Sequence, residues 1–204
     1  MRPDIILAFD TSAAHCAAAL LCGDQLWLKT EAMEKGQAER LMPLISDLLA
    51  EAGVVLADVT AIGVGTGPGN FTGVRISVAA ARGLALGLGV PAIGVTRLEA
   101  LAFGLPRPVT VVEDARRGEV YVQRFDIVGP GEARIVAAEA LGAIEGAVAG
   151  RDDLHSLPIA EAIARIASTR VGSVQPRPAP FYLRGADAAP PSDPPPVILD
   201  LAAS

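Results

Sequence analysis

The sequence predicts an α/β fold made of two consecutive units, each with three strands followed by helices, the second unit being the smaller. Short apolar runs bounded by turn residues alternate with longer segments whose apolar residues recur at helical spacing. A glycine-rich turn lies between a buried strand and a helix in the first half, and the second half has no similar turn. We therefore divide the chain into residues 1–104, residues 105–175 and a proline-rich tail at 176–204.

Composition indicates a folded, acidic protein. Hydrophobic residues make up 51% of the 204 residues and charged residues 20%, and the net charge is -6. Such a surface does not attract nucleic acid by itself, so contact with RNA requires a basic partner. The apolar run Ile5–Phe9 ends at Asp10, before signal-peptide length, and no segment approaches the ~20 apolar residues of a membrane span. Cys16 and Cys22 share one face of one predicted strand, so we expect unpaired, buried thiols and a cytoplasmic location.

Three strands and one helix are predicted at the start of the chain. The run Ile5–Phe9 is apolar throughout, and His15–Cys22 and Gln25–Glu31 flank the hairpin turn Gly23-Asp24. Gly36–Ala52 has an apolar stripe with helical period and ends before a glycine.

The glycine-rich turn follows a buried strand at Ala61–Gly65. Its turn formers end the strand, and either Asn70 or Thr72 is suited to cap the helix that follows. A helix start of this kind exposes backbone N–H groups that can hold an anion. However, no P-loop lysine follows, and Asn70 stands where a dinucleotide fingerprint needs glycine. A phosphate site and a tight structural turn both remain open. The residues assigned to the turn are Gly67, Pro68, Gly69, Thr72 and Gly73.

The helix after this turn has one smooth face. That face consists of Ile76, Ala79, Ala80, Gly83 and Gly87. Glycine inside a helix costs roughly 1 kcal/mol against alanine, so two glycines need a reason. One interpretation is close packing on the protein's own sheet, which the residues alone favour; the other is a helix–helix contact with a second protein.

The remaining elements are shorter. A strand at Ala92–Val95 leads into a helix at Thr96–Ala102, and two strands flank a five-residue connection, Asp114–Gly118. The other predicted elements are strands at Val109–Glu113, Glu119–Ile127 and Arg134–Ala137, a turn at Gly129–Gly131, and helices around Ala138–Ala149 and Pro158–Ala167.

Several of these segments resemble a known family. GTGPGNFTGVRISVAAARGLA is similar to the GPGSFTGLRIGVATAKGLA region of TsaB (YeaZ) proteins, the small paralogues of TsaD (Gcp) proteins. GQAERLMPLI, DARRGEVY and PFYLRGADA are similar to further segments of that family. The resemblance implies an actin-like ATPase (ASKHA, RNase H-like) fold, in which the first hairpin borders the phosphates of a nucleotide. In this chain that turn is Asp10-Thr11-Ser12, for which a purely local turn is the alternative.

The resemblance also implies a function without a catalytic centre. In TsaD proteins two histidines four apart bind the catalytic metal, and the corresponding run here, IGVTRLEAL, has Arg97 and Leu101 at those positions. Neither side chain ligates a metal ion, so we assign no catalytic residue and no metal ligand.

The family's partners follow from the same resemblance. It implies that this chain pairs with TsaD, that TsaE docks as an ATPase, and that the assembly transfers a threonylcarbamoyl group to the adenosine beside the anticodon of tRNA. The interface with TsaD, or with a second copy, would include Leu41 and the smooth face. We expect tRNA contact only through the complex, no tightly bound cofactor, and ATP at most at the complex interface. Two alternatives stay open: an independent enzyme, either a glycoprotease-like peptidase or an ATPase or kinase, and a homodimer without TsaD.

Overall fold

The computed structural model describes residues 3–141, 147–149 and 156–184. A five-stranded sheet forms the first half, in the order β3-β2-β1-β4-β5. β1, β4 and β5 run parallel, and β2 and β3 are antiparallel to their neighbours. Every strand predicted for this half is confirmed to within one residue at each end. The bounds are Ile5–Asp10 (β1), His15–Cys22 (β2), Gln25–Ala32 (β3), Ala61–Gly65 (β4) and Ala92–Val95 (β5).

Two long helices cover one face of this sheet. They are α1, Gln37–Ala52, and α2, Phe71–Leu88. Alternate strand residues such as Leu7 and Phe9 meet the apolar stripes of both helices in one buried cluster. Leu41 is 1% exposed and belongs to this cluster.

The opposite face is covered by α4, Ile159–Arg170, which packs on β1, β2 and β4. The predicted helix is therefore present, but its assignment to the second unit is wrong. The reason is close packing: a Cβ on Gly63 of β4 would lie 3.0 Å from Cβ of Ala167 and 3.1 Å from Cγ2 of Ile163. A glycine opposite an alanine-rich helix face lets the helix approach the sheet closely.

A second sheet follows the short helix α3, Arg97–Ala102. Its main order is β10-β6-β7-β8, with β9 also paired to β7. β10 is parallel to β6, and the other pairs are antiparallel. This sheet therefore repeats part of the first one: β6 and β7 correspond to β1 and β2, and β10 lies beside β6 as β4 lies beside β1. The bounds are Val109–Arg116 (β6), Glu119–Asp126 (β7), Gly129–Pro130 (β8), Arg134–Ala137 (β9) and Ala147–Ala149 (β10).

Three predictions for this half are wrong. The connection between β6 and β7 is shorter than five residues, because Arg116 pairs with Glu119 beyond a register shift. Gly129 and Pro130, predicted as a turn, form the short strand β8. The predicted helix at Ala138–Ala149 is a 3-10 turn over Ala138–Leu141 followed later by β10, and residues 142–146 lie outside the described part.

The tail returns to the body over residues 178–184. The Phe181 N–H donates to the Thr66 carbonyl at 2.8 Å, and Leu183 packs against the core of the second sheet. The rest of the predicted tail, from residue 185, lies outside the described residues. α2 is long and apolar enough to cross a membrane by length and composition alone, a weak signal that core helices also give, and it packs here on the first sheet.

Candidate functional site

The glycine-rich turn fits tightly against the turn after β1. A Cβ on Gly69 would lie 3.1 Å from the Ser12 carbonyl carbon, and one on Gly73 would lie 3.0 Å from that of Thr11, with both carbonyl oxygens closer still. The Asn70 N–H donates to the Ser12 carbonyl at 2.6 Å. These glycines are therefore required because another part of the same backbone occupies the space of a side chain.

The start of α2 is capped by the chain itself. Asn70 is the N-cap residue, and its Oδ1 accepts from the N–H groups of Thr72 and Gly73 at 3.0 and 3.2 Å. Asn70, rather than Thr72, thus supplies the cap. With those N–H groups satisfied, the geometry favours the structural turn over a phosphate site.

The Asp10-Thr11-Ser12 turn is buried and bonded within the chain. All three residues are at most 1% exposed. Thr11 Oγ1 donates to the Gly73 carbonyl at 2.6 Å, while the Ser12 N–H and Oγ both donate to Asp10 Oδ2. The resemblance noted in the sequence implies a nucleotide near this turn, but these three side chains offer it no exposed group. The structure therefore favours the local turn over the predicted cofactor site.

Asp10 belongs to a buried charge network that the sequence did not reveal. Its Oδ2 is 2.7 Å from His15 Nε2 and 3.9 Å from Arg97 Nη1, and Arg97 in turn binds both carboxylate oxygens of Glu113. Burial acts to raise the pKa of Asp10, but the His15 hydrogen bond and the Arg97 charge outweigh it and hold that pKa below its ordinary value. The network joins β1, β2, α3 and β6, and so connects the two sheets.

Arg97 and Leu101, the two positions that correspond to the TsaD histidines, both make contacts within the chain itself. Arg97 is in the network just described. Leu101 packs against the core of the second sheet. Among the described residues, no group of three or more His, Cys, Asp or Glu side chains is placed to share a metal ion.

A cleft of about 470 Å³ opens beside this network. One wall is formed by Ser12–Ala14 and Gly69–Phe71, and the other by the β6–β7 hairpin. Arg116 and Arg117 at the hairpin tip have φ angles of 64° and 55°, in the left-handed region. The hairpin that carries the DARRGEVY motif thus faces the glycine-rich turn across this cleft.

The smooth face of α2 is open to solvent over its second half. Ala79, Gly83 and Gly87 are exposed, and a Cβ on either glycine would have nothing within 4 Å. Packing on the protein's own sheet, the interpretation that the residues alone favoured, is therefore wrong for both glycines. Ile76 and Ala80 are half-buried and also contact the first core.

Leu41 does not belong to this open surface. Its side chain is covered by the protein's own core, as described above, and a covered side chain cannot contact a partner. We therefore remove Leu41 from the predicted interface. Leu86, 81% exposed, is an apolar residue on the same helix that the prediction did not include.

The returning tail links two of the sequence motifs. The Tyr182 ring stacks on Phe71 with centroids 5.2 Å apart, and Arg75 lies over Phe71 and donates from Nε to the Tyr182 hydroxyl at 3.0 Å. Arg184 binds the Glu119 carboxylate and the Ala115 carbonyl on the β6–β7 hairpin. The tail motif thus touches both the start of α2 and the hairpin, contacts of long sequence separation that spacing alone could not predict.

Comparisons with known proteins place this architecture in a family. A family model described as TsaD, tRNA N6-adenosine threonylcarbamoyltransferase, matches residues 31–188. The YeaZ structure from Pseudomonas aeruginosa has a TM-score of 0.72 at 30% sequence identity and covers 88% of this chain and 100% of that one. The chain belongs to the TsaB (YeaZ) family. Its fold is therefore the actin-like α/β fold predicted for that family.

Curated relatives agree with this assignment. The tRNA threonylcarbamoyladenosine biosynthesis protein TsaB of Escherichia coli is 40% identical over 121 residues, which cover 57% of this chain and 52% of that protein. The Haemophilus influenzae protein of the same name is also 40% identical over 121 residues. The chain thus spans about half the length of the curated TsaB relatives it matches. An uncharacterized Mycobacterium tuberculosis protein, Rv3421c, is 35% identical and is covered over 94% of its length.

Proposed function

We propose that this chain is a non-catalytic subunit of an assembly that makes threonylcarbamoyladenosine in tRNA, and that it binds a TsaD-type protein through the exposed face of α2. The names of the TsaB relatives, which are tRNA threonylcarbamoyladenosine biosynthesis proteins, support the pathway. The open face of α2 is the observation that carries the partner role.

The energetic argument rests on Gly83 and Gly87. Each costs the helix roughly 1 kcal/mol relative to alanine, and neither gains a close packing contact within the described part of the chain. Small residues allow the backbone of a second helix to approach closely, and the exposed Leu86 adds apolar area to the same region. Packing against a bound partner helix would offset the propensity cost of Gly83 and Gly87, which no contact within the described residues offsets.

The neighbours of Arg97 and Leu101 support the proposal that this chain is a non-catalytic subunit. In this chain Arg97 pairs with Glu113 and Asp10, and Leu101 fills apolar space, so both residues serve packing and charge balance. The chemistry of group transfer would then be carried out by the partner. TsaE would dock on the pair as an ATPase, tRNA would be contacted through the complex, and any ATP would lie at the complex interface rather than at Asp10–Ser12.

The mechanism we propose is conformational support. A subunit that binds one conformation of its partner more tightly than another shifts the partner's population toward the first. The rigid sheet under α2 suits this role, because a preformed surface loses little freedom on binding. We place the assembly in the cytoplasm.

Titration of the purified chain against the TsaD-type protein of the same organism tests this proposal. Gly83→Trp places an indole in the centre of the face and should abolish binding, while circular dichroism and the unfolding midpoint show that the variant is folded. Val174→Trp adds the same side chain at a fully exposed position away from the face and should bind like the wild type. Equal affinities of both variants would overturn the assignment of the face, and a wild type that does not bind would overturn the partner role.

A further inference from the structure

A notch lies beside the smooth face, between α2 and the returning tail. Its volume is about 400 Å³. We call it the α2 notch, and it is lined by Arg75, Val78, Ala79, Arg82 and Pro180. Val78 is buried and gives the notch an apolar floor, while the two arginines stand on its rim.

The rim is cationic in a protein whose net charge is -6. α2 contains two arginines and no aspartate or glutamate between Phe71 and Leu88. Arg75 interacts with the Phe71 ring and the Tyr182 hydroxyl, neither of which neutralises its charge. Within the described part of the chain, neither Arg75 nor Arg82 forms an ion pair.

The wall opposite α2 is held in place from both sides of Pro180. Pro178 is buried against Gly94, and Phe181 is fixed to the Thr66 carbonyl by its N–H. Tyr182 then stacks on Phe71. Because the tail is anchored before and after Pro180, the notch is formed in the free chain. Binding of a group in the notch therefore requires little loss of conformational entropy in this protein.

The charge distribution bears on which occupant fits. A second copy that met this face through its own α2 would bring two more arginines and no acid from that helix. The helix beside it, α1, has three acidic residues, and two of them already pair within the chain: Asp47 with Arg40 and Glu51 with Lys29. Like charges brought together at an interface are costly, so the notch favours a different protein that supplies a carboxylate.

We propose that the α2 notch receives an aspartate or glutamate side chain, together with an adjoining apolar residue, from the partner protein that covers the smooth face. The carboxylate lies between Arg75 and Arg82, and the apolar residue contacts Val78 and Pro180. This inference rests on the proposed function and adds to it the chemistry by which the partner is recognised in preference to a second copy.

Charge reversal at Arg82 tests the inference, because Arg82 has no ion pair to lose within the described residues. Binding of the purified TsaD-type protein to Arg82→Glu should weaken at least about tenfold, which corresponds to about 1.4 kcal/mol. Arg177→Glu makes the same charge change at an exposed position that does not line the notch, and should alter the affinity less than about twofold. The loss of affinity with rising salt should be less steep for Arg82→Glu than for the wild type.

The outcomes separate the notch from the proposed function. If Arg82→Glu binds like the wild type while Gly83→Trp does not bind, the notch inference is wrong and the proposed function stands. If the wild type does not bind the TsaD-type protein at all, both fail. If the wild type forms a homodimer that Arg82→Glu dissociates while partner binding is unchanged, the occupant is a second copy and the inference is wrong.

Discussion

Glycine-to-alanine substitutions at two positions of α2 should change stability in opposite directions. Gly73 and Gly83 lie in the same helix, but their surroundings differ. A Cβ on Gly73 would lie 3.0 Å from the Thr11 carbonyl carbon and closer to its oxygen, whereas a Cβ on Gly83 would meet nothing within 4 Å. The same chemical change therefore adds a clash at one position and only helix propensity at the other.

The magnitudes follow from these distances. Gly83→Ala should raise the free energy of unfolding by about 1 kcal/mol, the difference in helix propensity between the two residues. Gly73→Ala lies in the first turn of the helix, gains less propensity, and must push the Thr11 backbone outward, because carbon atoms ordinarily stay about 3.5–4.0 Å apart. Overpacking of this kind costs about 1–3 kcal/mol or more, and the Thr11 Oγ1 hydrogen bond to Gly73 weakens with it. We expect a net loss of about 2 kcal/mol, so the two variants should differ by about 3 kcal/mol.

Urea denaturation followed by fluorescence measures this difference. Trp27 is the single tryptophan of the chain and is partly buried against the first core, so its emission reports unfolding of the first sheet. Equal slopes of the transition in all three proteins would validate the comparison. A Gly83→Ala variant less stable than the wild type, or a Gly73→Ala variant as stable as Gly83→Ala, would refute the assignment of the two glycines to open and crowded surroundings.

Three further predictions concern the charge network, the thiols and the tail. Asp10→Asn should lower the free energy of unfolding by about 2 kcal/mol at pH 7, because it removes the buried negative charge that binds Ser12 and His15 and faces Arg97, while Glu113 still pairs with Arg97. Because the folded state lowers the pKa of Asp10, the ionised carboxylate contributes to the free energy of unfolding above about pH 4, and this contribution is lost as the pH falls through the folded-state pKa. The urea midpoints of variant and wild type should therefore converge in acid, and a gap that stays constant with pH would contradict this. Burial raises the pKa of Cys16 to about 11. A thiol reagent at pH 8 should therefore modify the half-exposed Cys22 first, and Cys16 only when the protein unfolds. Equal rates of modification of the two thiols in the folded protein would count against the burial of Cys16. Tyr182→Ala removes a ring stack and a hydrogen bond to α2 and should cost roughly 1–2 kcal/mol in thermal unfolding, and an unchanged midpoint would mean that the tail is not held.

The first half of the fold was predictable because each element had a local signal. The strands Ile5–Asp10 and Ala61–Gly65 are apolar runs that end at turn residues, and Gln37–Ala52 shows a clear helical stripe. Alanine-rich segments were harder. Ala147–Ala149 favours helix by composition, but pairing with Val109–Val111 makes it a strand, a case of tertiary contact overriding local preference.

The site residues show the same division between local and distant causes. The position of the glycine-rich turn and the choice of Asn70 or Thr72 as cap follow from neighbouring residues, so the sequence indicated them, whereas the contacts of Gly69 and Gly73 with Ser12 and Thr11 are distant in sequence. Asp10 meets Arg97 across 87 positions of sequence and Arg75 meets Tyr182 across 107, and no periodic pattern encodes such pairs. The open side of α2 was misjudged because a smooth helix face suits internal and external packing equally well. Only the position of the sheet distinguishes the two.

The role in tRNA modification can be measured in cells depleted of this protein. Mass spectrometry of tRNA nucleosides should show that threonylcarbamoyladenosine falls while other modified nucleosides persist. A plasmid copy of the wild type or of Val174→Trp should restore it, and Gly83→Trp, although folded, should not. An unchanged level of threonylcarbamoyladenosine after depletion, in a cell with no second member of the family, would contradict the proposed function, and full rescue by Gly83→Trp would contradict the role of the α2 face.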